Sequence, residues 1–433
     1  MPTRRTFIAL SLVAVLFAAG VVAPALVWVG LALDAAILGA LLADLNRARR
    51  IPLAARRRWP TLLTQGMAAE VEVELTGGSS VAVVWLREGL HPGLAAAPLR
   101  HEVRVSAAVP TRWRYPISPR LRGEHEVAPL TARVLGPWGL AWAQRDLLPP
   151  DRQRVYPQVR WEGRVARLLA LAHRRQLGQA QLRHHGIGSE PYALREYLPG
   201  DPLSRVHWKA TARHGRLITR EDTWERGGRL VILLDCARAM TSLDGGRSKL
   251  DHALATALAL TRVAAARGDR VTVIPFADSV ERIVRVRPST GGLARAYRAL
   301  YDVQARLAEP AYDAAAEAAY AAEPRRAVVV LFTSVVDLAA AELLREAMLR
   351  LELRHRPFLV NLEDPEIGHL AFGAPATVED AFAKVASMEI TLANRRLARH
   401  LRRAGVRVVT TAADALALET LGGYLAMLRV RAA

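Results

Sequence analysis

The sequence predicts a doubly wound α/β domain in the carboxyl-terminal half, preceded by a membrane helical hairpin and a small β-sandwich. Three observations carry this prediction. Residues 7–42 are almost wholly apolar, residues 59–158 alternate short apolar and polar runs with turns, and from residue 229 continuous apolar runs alternate with helical patterns. We therefore divide the 433 residues into segments 1–58, 59–158, 159–228 and 229–433, the third being a helical connector.

The amino-terminal apolar run is too long for one ordinary membrane span. Gly20 and Pro24 divide it into stretches at about 7–22 and 25–43, which fit a hairpin of two spans. Arginines flank both ends, so the positive-inside rule places both ends and the rest of the chain in the cytoplasm. A cleaved signal peptide is the alternative, although it would leave the second stretch as a membrane segment. We expect a multi-pass membrane protein in contact with lipid.

Residues 59–158 predict antiparallel strands. Runs at 70–75, 81–86, 102–105 and 131–134 alternate apolar with polar side chains and are separated by turn signals, as in a small β-sandwich. The string Gly136-Pro137-Trp138-Gly139-Leu140 predicts a further turn. We expect Trp138 and Trp142 to pack there, since an aromatic side chain beside a turn more often belongs to a core than to a binding surface.

Strand and helix patterns alternate after residue 228. The apolar run that follows Arg229 ends in Asp235, as in a buried parallel strand whose carboxyl end meets a site. Further strands are predicted at 270–276, 280–286, 327–333, 356–361 and 406–410, and helices at 249–267, 291–307, 338–351, 377–404 and from 414. This alternation predicts a doubly wound sheet.

The segment from Arg195 to Arg213 is dense in residues that constrain one another. Residues 199–202, Pro-Gly-Asp-Pro, predict a turn, and the apolar-polar alternation over 206–212 predicts a short, half-buried extended segment with Trp208 in the core. The arginines are suited to bidentate pairing with nearby carboxylates such as Asp201. We interpret this segment as a structural clamp and not as a catalytic loop.

The same segment resembles a family signature. The string R-x-Y-x-x-G-D-x-x-x-R-x-x-W-x-x-x-A-R is matched by Arg195, Tyr197, Gly200, Asp201, Arg205, Trp208, Ala212 and Arg213. This string resembles the signature of the bacterial DUF58 family, a domain of unknown function. His207 departs from it, because the family more often shows an acidic residue before the tryptophan. The turn at 136–140 is similar to the family's Asp-Pro-x-Gly-Leu turn with the aspartate lost.

The resemblance implies a fold and a partner. Members carry a von Willebrand factor A-like domain and are often encoded beside MoxR-type AAA+ ATPases, so the resemblance implies an ATPase of that type as partner in a bacterial inner membrane. Such domains usually bind a divalent cation through an Asp-x-Ser-x-Ser turn. Here residues 235–239 read Asp-Cys-Ala-Arg-Ala, which leaves Asp235 and Asp337 as donors. We expect no cofactor and no metal, with Mg²⁺ the candidate cation if one binds.

Composition and motifs limit the function further. The net charge of +19 favours anionic partners, and without a nucleic-acid-binding motif in the sequence we expect lipid and protein partners and no nucleic acid. The single cysteine, Cys236, excludes an intrachain disulfide. The sequence carries no P-loop, zinc-protease or serine-hydrolase motif.

We therefore predict a non-enzymatic, membrane-tethered cytoplasmic interaction protein. Its partner would be the MoxR-type ATPase, and the pair would act in the assembly or remodelling of other complexes. Two alternatives remain open: a divalent-metal-dependent adhesion-type module, and an envelope-facing structural protein.

Overall fold

The structure is a computed structural model. It describes residues 1–19, 21–77, 82–94, 100–106, 110–158, 163, 165–167, 170, 193–196, 206, 208–221, 228–288 and 291–429. The chain divides between Gln158 and Val159 into two compact units.

The first unit begins with two apolar helices, α1 (Arg4–Ala19) and α2 (Ala25–Arg50). They pack together so closely that a Cβ at Gly30 would lie 3.1 Å from the Phe17 ring. Among the described helices, α2 is the one long and apolar enough to cross a membrane, with a mean hydropathy of 2.2 over its most apolar window. Helix α1 has 16 residues, fewer than the about 20 of an ordinary span. By length and composition, one candidate span therefore stands where the sequence predicted two.

The aspartate at the end of α2 joins this helix to the β-rich part of the unit. The Asp44 carboxylate is fully buried and accepts hydrogen bonds from the backbone N–H groups of Trp138, Leu140 and Ala141 at 2.8, 2.8 and 3.0 Å. The start of the chain contacts the same turn, because the Thr6 hydroxyl donates to the Leu140 carbonyl at 2.6 Å. Both ends of the helical pair therefore meet one turn.

The rest of the first unit is β-rich, as the alternating pattern predicted. Its described strands are β1 (Leu53–Arg58), β2 (Leu63–Thr64), β3 (Ala69–Gly77), β4 (Ala82–Arg87), β5 (Arg100–Val105), β6 (Thr111–Ile117), β7 (Gly123–Val127), β8 (Leu130–Leu135), β9 (Trp142–Leu148) and β10 (Asp151–Tyr156). They form sheets of order β1-β3-β6, β5-β4-β8-β9 and β2-β10-β7. Alternate residues such as Val73, Leu86, Tyr115 and Val134 point into one shared core.

The second unit contains the α/β domain. Its described elements before the main sheet are β11 (Ala193–Glu196), α3 (Trp208–His214) and β12 (Ile218–Glu221), with β11 antiparallel to β12. The strands that follow are β13 (Arg229–Asp235), β14 (Leu243–Asp244), β15 (Arg247–Ser248), β16 (Arg270–Phe276), β17 (Val284–Val286), β18 (Val328–Thr333), β19 (Arg356–Leu362) and β20 (Arg407–Thr411). The helices are α4 (Lys249–Ala266), α5 (Gly292–Leu300), α6 (Tyr312–Ala322), α7 (Leu338–Glu352), α8 (Pro365–Phe372), α9 (Val378–Arg403) and α10 (Leu416–Arg429).

The main sheet has the order β17-β16-β13-β18-β19-β20 and is parallel except for the edge strand β17. One face packs on α4, α5 and α10, and the other on α6, α7 and the carboxyl-terminal half of α9. The predicted α/β architecture is therefore present. The chain places β16 on one side of β13 and β18 on the other, and ligands of open α/β sheets bind at such a reversal, beside the carboxyl ends of the strands.

Several predicted elements differ from the structure. Of the segment predicted as extended over 206–212, the residues from 208 onward form helix α3, in which Ala210 is buried while Trp208 is 66% exposed. Helix α5 ends at Leu300 and not at 307, and helices α6 and α8 were not predicted. Trp138 is half-exposed under the Arg47 guanidinium instead of packing in the core.

Candidate functional site at the carboxyl edge of the sheet

Asp235 ends β13 at the point where the sheet order reverses, and its carboxylate is enclosed by hydrogen-bond donors. Its Oδ1 accepts from the backbone N–H of Ala237 at 2.8 Å, and its Oδ2 accepts from the Thr333 hydroxyl at 2.6 Å. The Tyr312 hydroxyl lies 2.8 Å from the Thr333 oxygen and 3.5 Å from Oδ2. The side chains of β13, β18 and α6 thus form one closed network around a buried acid.

Burial governs the protonation of this network. It raises the pKa of Asp235 to about 6, against hydrogen bonds from Thr333, Ala237 and Tyr312 that lower it. Burial, together with the charge of Asp235, also raises the pKa of Tyr312 well above its ordinary value. Tyr312 therefore stays protonated and serves as a hydrogen-bond donor at neutral pH.

Asp337 is separately engaged at the start of α7. Its carboxylate caps that helix by accepting from the N–H of Ala340 at 2.7 Å, and it lies 3.1 Å from the Arg238 guanidinium. Arg238 also contacts Glu309 at 3.0 Å. Arginine 238 therefore links two carboxylates over the edge of the sheet, beside the turn that holds Asp235.

This donor set does not fit the oxygen shell that a divalent cation requires. Ala237 and Ala239 offer methyl groups where two hydroxyl ligands would be needed, and both oxygens of Asp235 already accept hydrogen bonds. The guanidinium of Arg238 adds a positive charge beside Asp337. Across the described part of the chain, no cluster of three or more His, Cys, Asp or Glu side chains could hold a metal ion.

A second polar cluster at this edge was not predicted. The Lys249 ammonium is buried, lies 2.9 Å from the Asp364 carboxylate and donates to the Ser334 hydroxyl at 3.0 Å. Ser334 in turn donates to the Leu362 carbonyl at 2.9 Å. Sequence patterns contain little sign of this cluster, because a lysine at the start of a helix is ordinarily solvated. The pair fixes the start of α4 to the loop that leads into α8.

The signature residues fall partly outside the described residues. Tyr197, Gly200, Asp201 and Arg205 lie there, and so does the predicted pairing of Arg205 with Asp201. Arg195 belongs to β11 and lies opposite Thr219 in the antiparallel pair. Arg213 and Trp208 lie on α3, and both are exposed. The expectation that Trp208 is a core residue is therefore wrong: Trp208 begins α3, and the residue that this helix buries is Ala210.

Comparison with known proteins gives one family match. The profile of the family described as "Protein of unknown function DUF58" matches residues 193–411, about half of the chain. A search of curated proteins found no match.

The chain is also similar to several solved structures. The conserved hypothetical protein BatB from Bacteroides thetaiotaomicron is 18% identical, and the match covers 47% of this chain and 100% of BatB with a TM-score of 0.31. The SpRpn10 VWA domain is 11% identical, with coverage of 45% and 93% and a TM-score of 0.28. The CARDB domain of the PF1109 protein from Pyrococcus furiosus is 15% identical, with coverage of 24% and 88% and a TM-score of 0.19.

Proposed function

The chain belongs to the DUF58 family of proteins of unknown function, and on that premise we propose that it is a membrane-tethered, non-catalytic module that binds another protein. The observation that carries this proposal is Trp208. It lies within the family-matched region, yet its indole is 66% exposed on a short helix. An exposed tryptophan contributes little to packing within its own chain, and tryptophan is frequent among the residues that anchor protein interfaces.

The carboxyl edge of the sheet supports a binding role over catalysis. The buried acid Asp235 is held by three donors within its own domain, so that both of its oxygens already accept hydrogen bonds. Cys236 is buried beside it, and a neighbouring carboxylate disfavours the thiolate. The adhesion-type alternative requires a metal at Asp235 and is disfavoured by the same contacts.

Contacts within the first unit support a two-span arrangement. Thr6 at the start of α1 and Asp44 near the end of α2 both contact the turn at 136–142. If α2 crosses a bilayer, the chain returns to the side on which it began only if α1 crosses too. At about 1.5 Å per residue, the 16 residues of α1 span about 24 Å, which requires local thinning of the bilayer.

The proposed orientation is cytoplasmic. Arg4 and Arg5 begin α1, and Arg47, Arg49 and Arg50 end α2, so positive charge flanks the proposed pair on one side. A reporter fused after Ala433 tests this: a fluorescent protein should be bright and a phosphatase inactive. The reverse result would favour the envelope-facing alternative.

The proposed partner is a MoxR-type AAA+ ATPase, by virtue of the family resemblance. With it, the chain would act in assembling or remodelling other complexes. The test is co-purification of the detergent-solubilised full chain with an ATPase encoded beside it, with Trp208→Ala as the matched variant. We expect wild type to retain the ATPase and the variant to lose it. No association in either ATP or ADP would refute this partnership.

A further inference from the structure

A groove of about 650 Å³ lies at the carboxyl edge of β18, β19 and β20, between α8 and α9. Its lining does not include Asp235 or Asp337, so it is separate from the Asp235 network, although Ser334 and Asp364 of the Lys249 cluster line it. Apolar side chains form much of its wall, among them Leu362, Phe372 and Ile390. A volume of this size and an apolar wall with a few polar groups are typical of a binding site.

Positive charge lines one side of the groove. Arg395, Arg399 and Arg402 follow one flank of α9, and within the described part of the chain neither Arg395 nor Arg399 forms an ion pair. Glu363 and Asp364 lie across from them, but Asp364 is already paired with the buried Lys249 ammonium. The groove therefore presents three guanidinium groups against one uncompensated carboxylate.

One buried acceptor in the groove is unsatisfied. The side-chain amide of Asn394 donates through Nδ2 to the Val335 carbonyl at 3.0 Å. Its Oδ1 is buried and has no hydrogen-bond partner among the described residues. Leaving a buried acceptor unpaired costs about 1–3 kcal/mol, and because this oxygen is inaccessible, an N–H donor from a ligand would reach it only after neighbouring side chains move.

An exposed apolar stripe continues from the groove along α9. It consists of Val378, Phe382, Val385, Met388 and Leu392, spaced at three or four residues so that they share one face of the helix. Phe382 is 74% exposed, and Leu392 also lines the groove. From Val378 to Leu392 the helix rises about 21 Å, which is longer than a small molecule would cover. Such a surface is typical of contact with a macromolecule.

We propose that this groove and stripe dock an acidic peptide segment of a partner protein. Apolar side chains of the segment fill the groove beside Phe372, and its carboxylates pair with Arg395 and Arg399. Charge-assisted pairs with guanidinium groups supply the selectivity for acidic residues. This inference rests on the proposed role in protein binding and adds the chemistry of the segment that is bound.

The charge distribution favours a peptide over a bilayer surface. Glu389 lies four residues after Val385 and three before Leu392, on the face of the apolar stripe, whereas the arginines begin only at Arg395. An anionic bilayer would meet the Glu389 carboxylate at the point where the apolar side chains would insert. A peptide can place its acidic residues at the arginine end alone.

The test starts from a random peptide-display selection on the full chain held in phosphatidylcholine nanodiscs. We expect the selected peptides to be enriched in Asp, Glu and large apolar residues. One selected peptide, synthesised with a fluorescent label, should bind Arg395→Glu/Arg399→Glu at least tenfold more weakly than wild type. The matched control is Arg295→Glu/Arg298→Glu, which makes the same change of charge at exposed positions of α5 and should bind as wild type does.

A second variant, a modified peptide and a lipid control distinguish the possible outcomes. If the charge-reversed variant shows no cooperative thermal unfolding, Arg395→Gln/Arg399→Gln replaces it. A peptide with its carboxylates changed to amides should lose as much affinity for wild type as the labelled peptide loses for the variant. A selection without acidic enrichment, or equal binding to all variants, would overturn the proposal. So would hydrogen-exchange protection of residues 378–403 by phosphatidylglycerol nanodiscs without peptide. ATPase retention by the charge-reversed variant would overturn only this groove as its docking site.

Discussion

The carboxyl group of Asp44 lies where a side chain at position 136 would be. A Cβ built on Gly136 would be 2.3 Å from Asp44 Cγ and from its Oδ2. In the family turn that this segment resembles, an aspartate stands at that position, and an aspartate can accept from the N–H two residues further on. Here Asp44 of α2 accepts from Trp138, which is that N–H. A side chain from a helix therefore provides here the acceptor that an aspartate at position 136 could provide.

This relationship predicts a compensating pair of substitutions. Asp44→Ala should lower the thermal midpoint of the full chain in detergent, because three backbone donors lose their acceptor at about 1–3 kcal/mol each. Gly136→Asp alone should also destabilise, since two carboxyl groups would compete for one space. The double variant should recover a good part of the loss. If the two losses simply add, Asp44 does not substitute for residue 136.

The network around Asp235 predicts a pH dependence of stability. The folded pKa of about 6 exceeds the ordinary 3.8, so this group stabilises the fold fully below about pH 3.8, and the contribution disappears as pH rises through 6. A difference of about two units corresponds to about 3 kcal/mol. Asp235→Asn should remove this slope and be at least as stable as wild type at pH 7.

The measurement is the thermal midpoint of wild type and variant at several pH values from 4 to 7, with the exposed Asp278→Asn as the control. Chelator and millimolar magnesium should give the same wild-type midpoints. A magnesium-dependent rise of several degrees that Asp235→Asn abolishes would show a cation site and contradict the prediction.

Much of this edge of the sheet follows from the sequence. An apolar run that ends in a carboxylate predicts a buried strand with an acid at its carboxyl end, and Asp235 lies there. The partners could not be predicted, because Tyr312 and Thr333 are 77 and 98 residues away and reach Asp235 only through the strand order. The pattern of a single sequence contains no information about which distant side chains come into contact.

The error at Trp208 has a different origin. Over seven residues, a period of two and a period of 3.6 share several positions, and the apolar residues at 206 and 210 satisfy both. Alanine and lysine at 209–212 favour the helix, which begins at Trp208 and buries Ala210 while Trp208 and Ala212 are exposed. The contacts of Asp44 were likewise not predicted, because an acidic residue near the end of an apolar helix is usually interpreted as part of the polar flank of a membrane span.

A buried ion pair in the β-rich unit predicts that substitutions of two adjacent arginines have unequal effects on stability. Arg57 lies 2.7 Å from Glu88, and both side chains are inaccessible, whereas Arg58 pairs with Glu74 at the surface. Burial raises the pKa of Glu88, against the attraction of Arg57. Arg57→Ala should lower the free energy of unfolding by about 3–5 kcal/mol, because it leaves the buried Glu88 without its partner. Arg58→Ala should lower it by about 0–1 kcal/mol. Equal shifts of the urea midpoint would contradict this, and Arg57→Ala/Glu88→Leu should recover part of the loss.

Substitution of Trp208 distinguishes a structural role of the signature segment from a role in partner recognition. Because its indole is 66% exposed, Trp208→Ala should change the free energy of unfolding by no more than about 0.5 kcal/mol. If α3 contacts a partner, the same variant should lose about 2 kcal/mol of binding, which is about thirtyfold in Kd. Leu243→Ala is the control, since Leu243 is 72% exposed and lies outside the signature, and it should leave both quantities unchanged. Urea unfolding and titration with the neighbouring ATPase measure the two. A loss of about 3–5 kcal/mol in stability, as for a buried tryptophan, would show that α3 packs its indole inside.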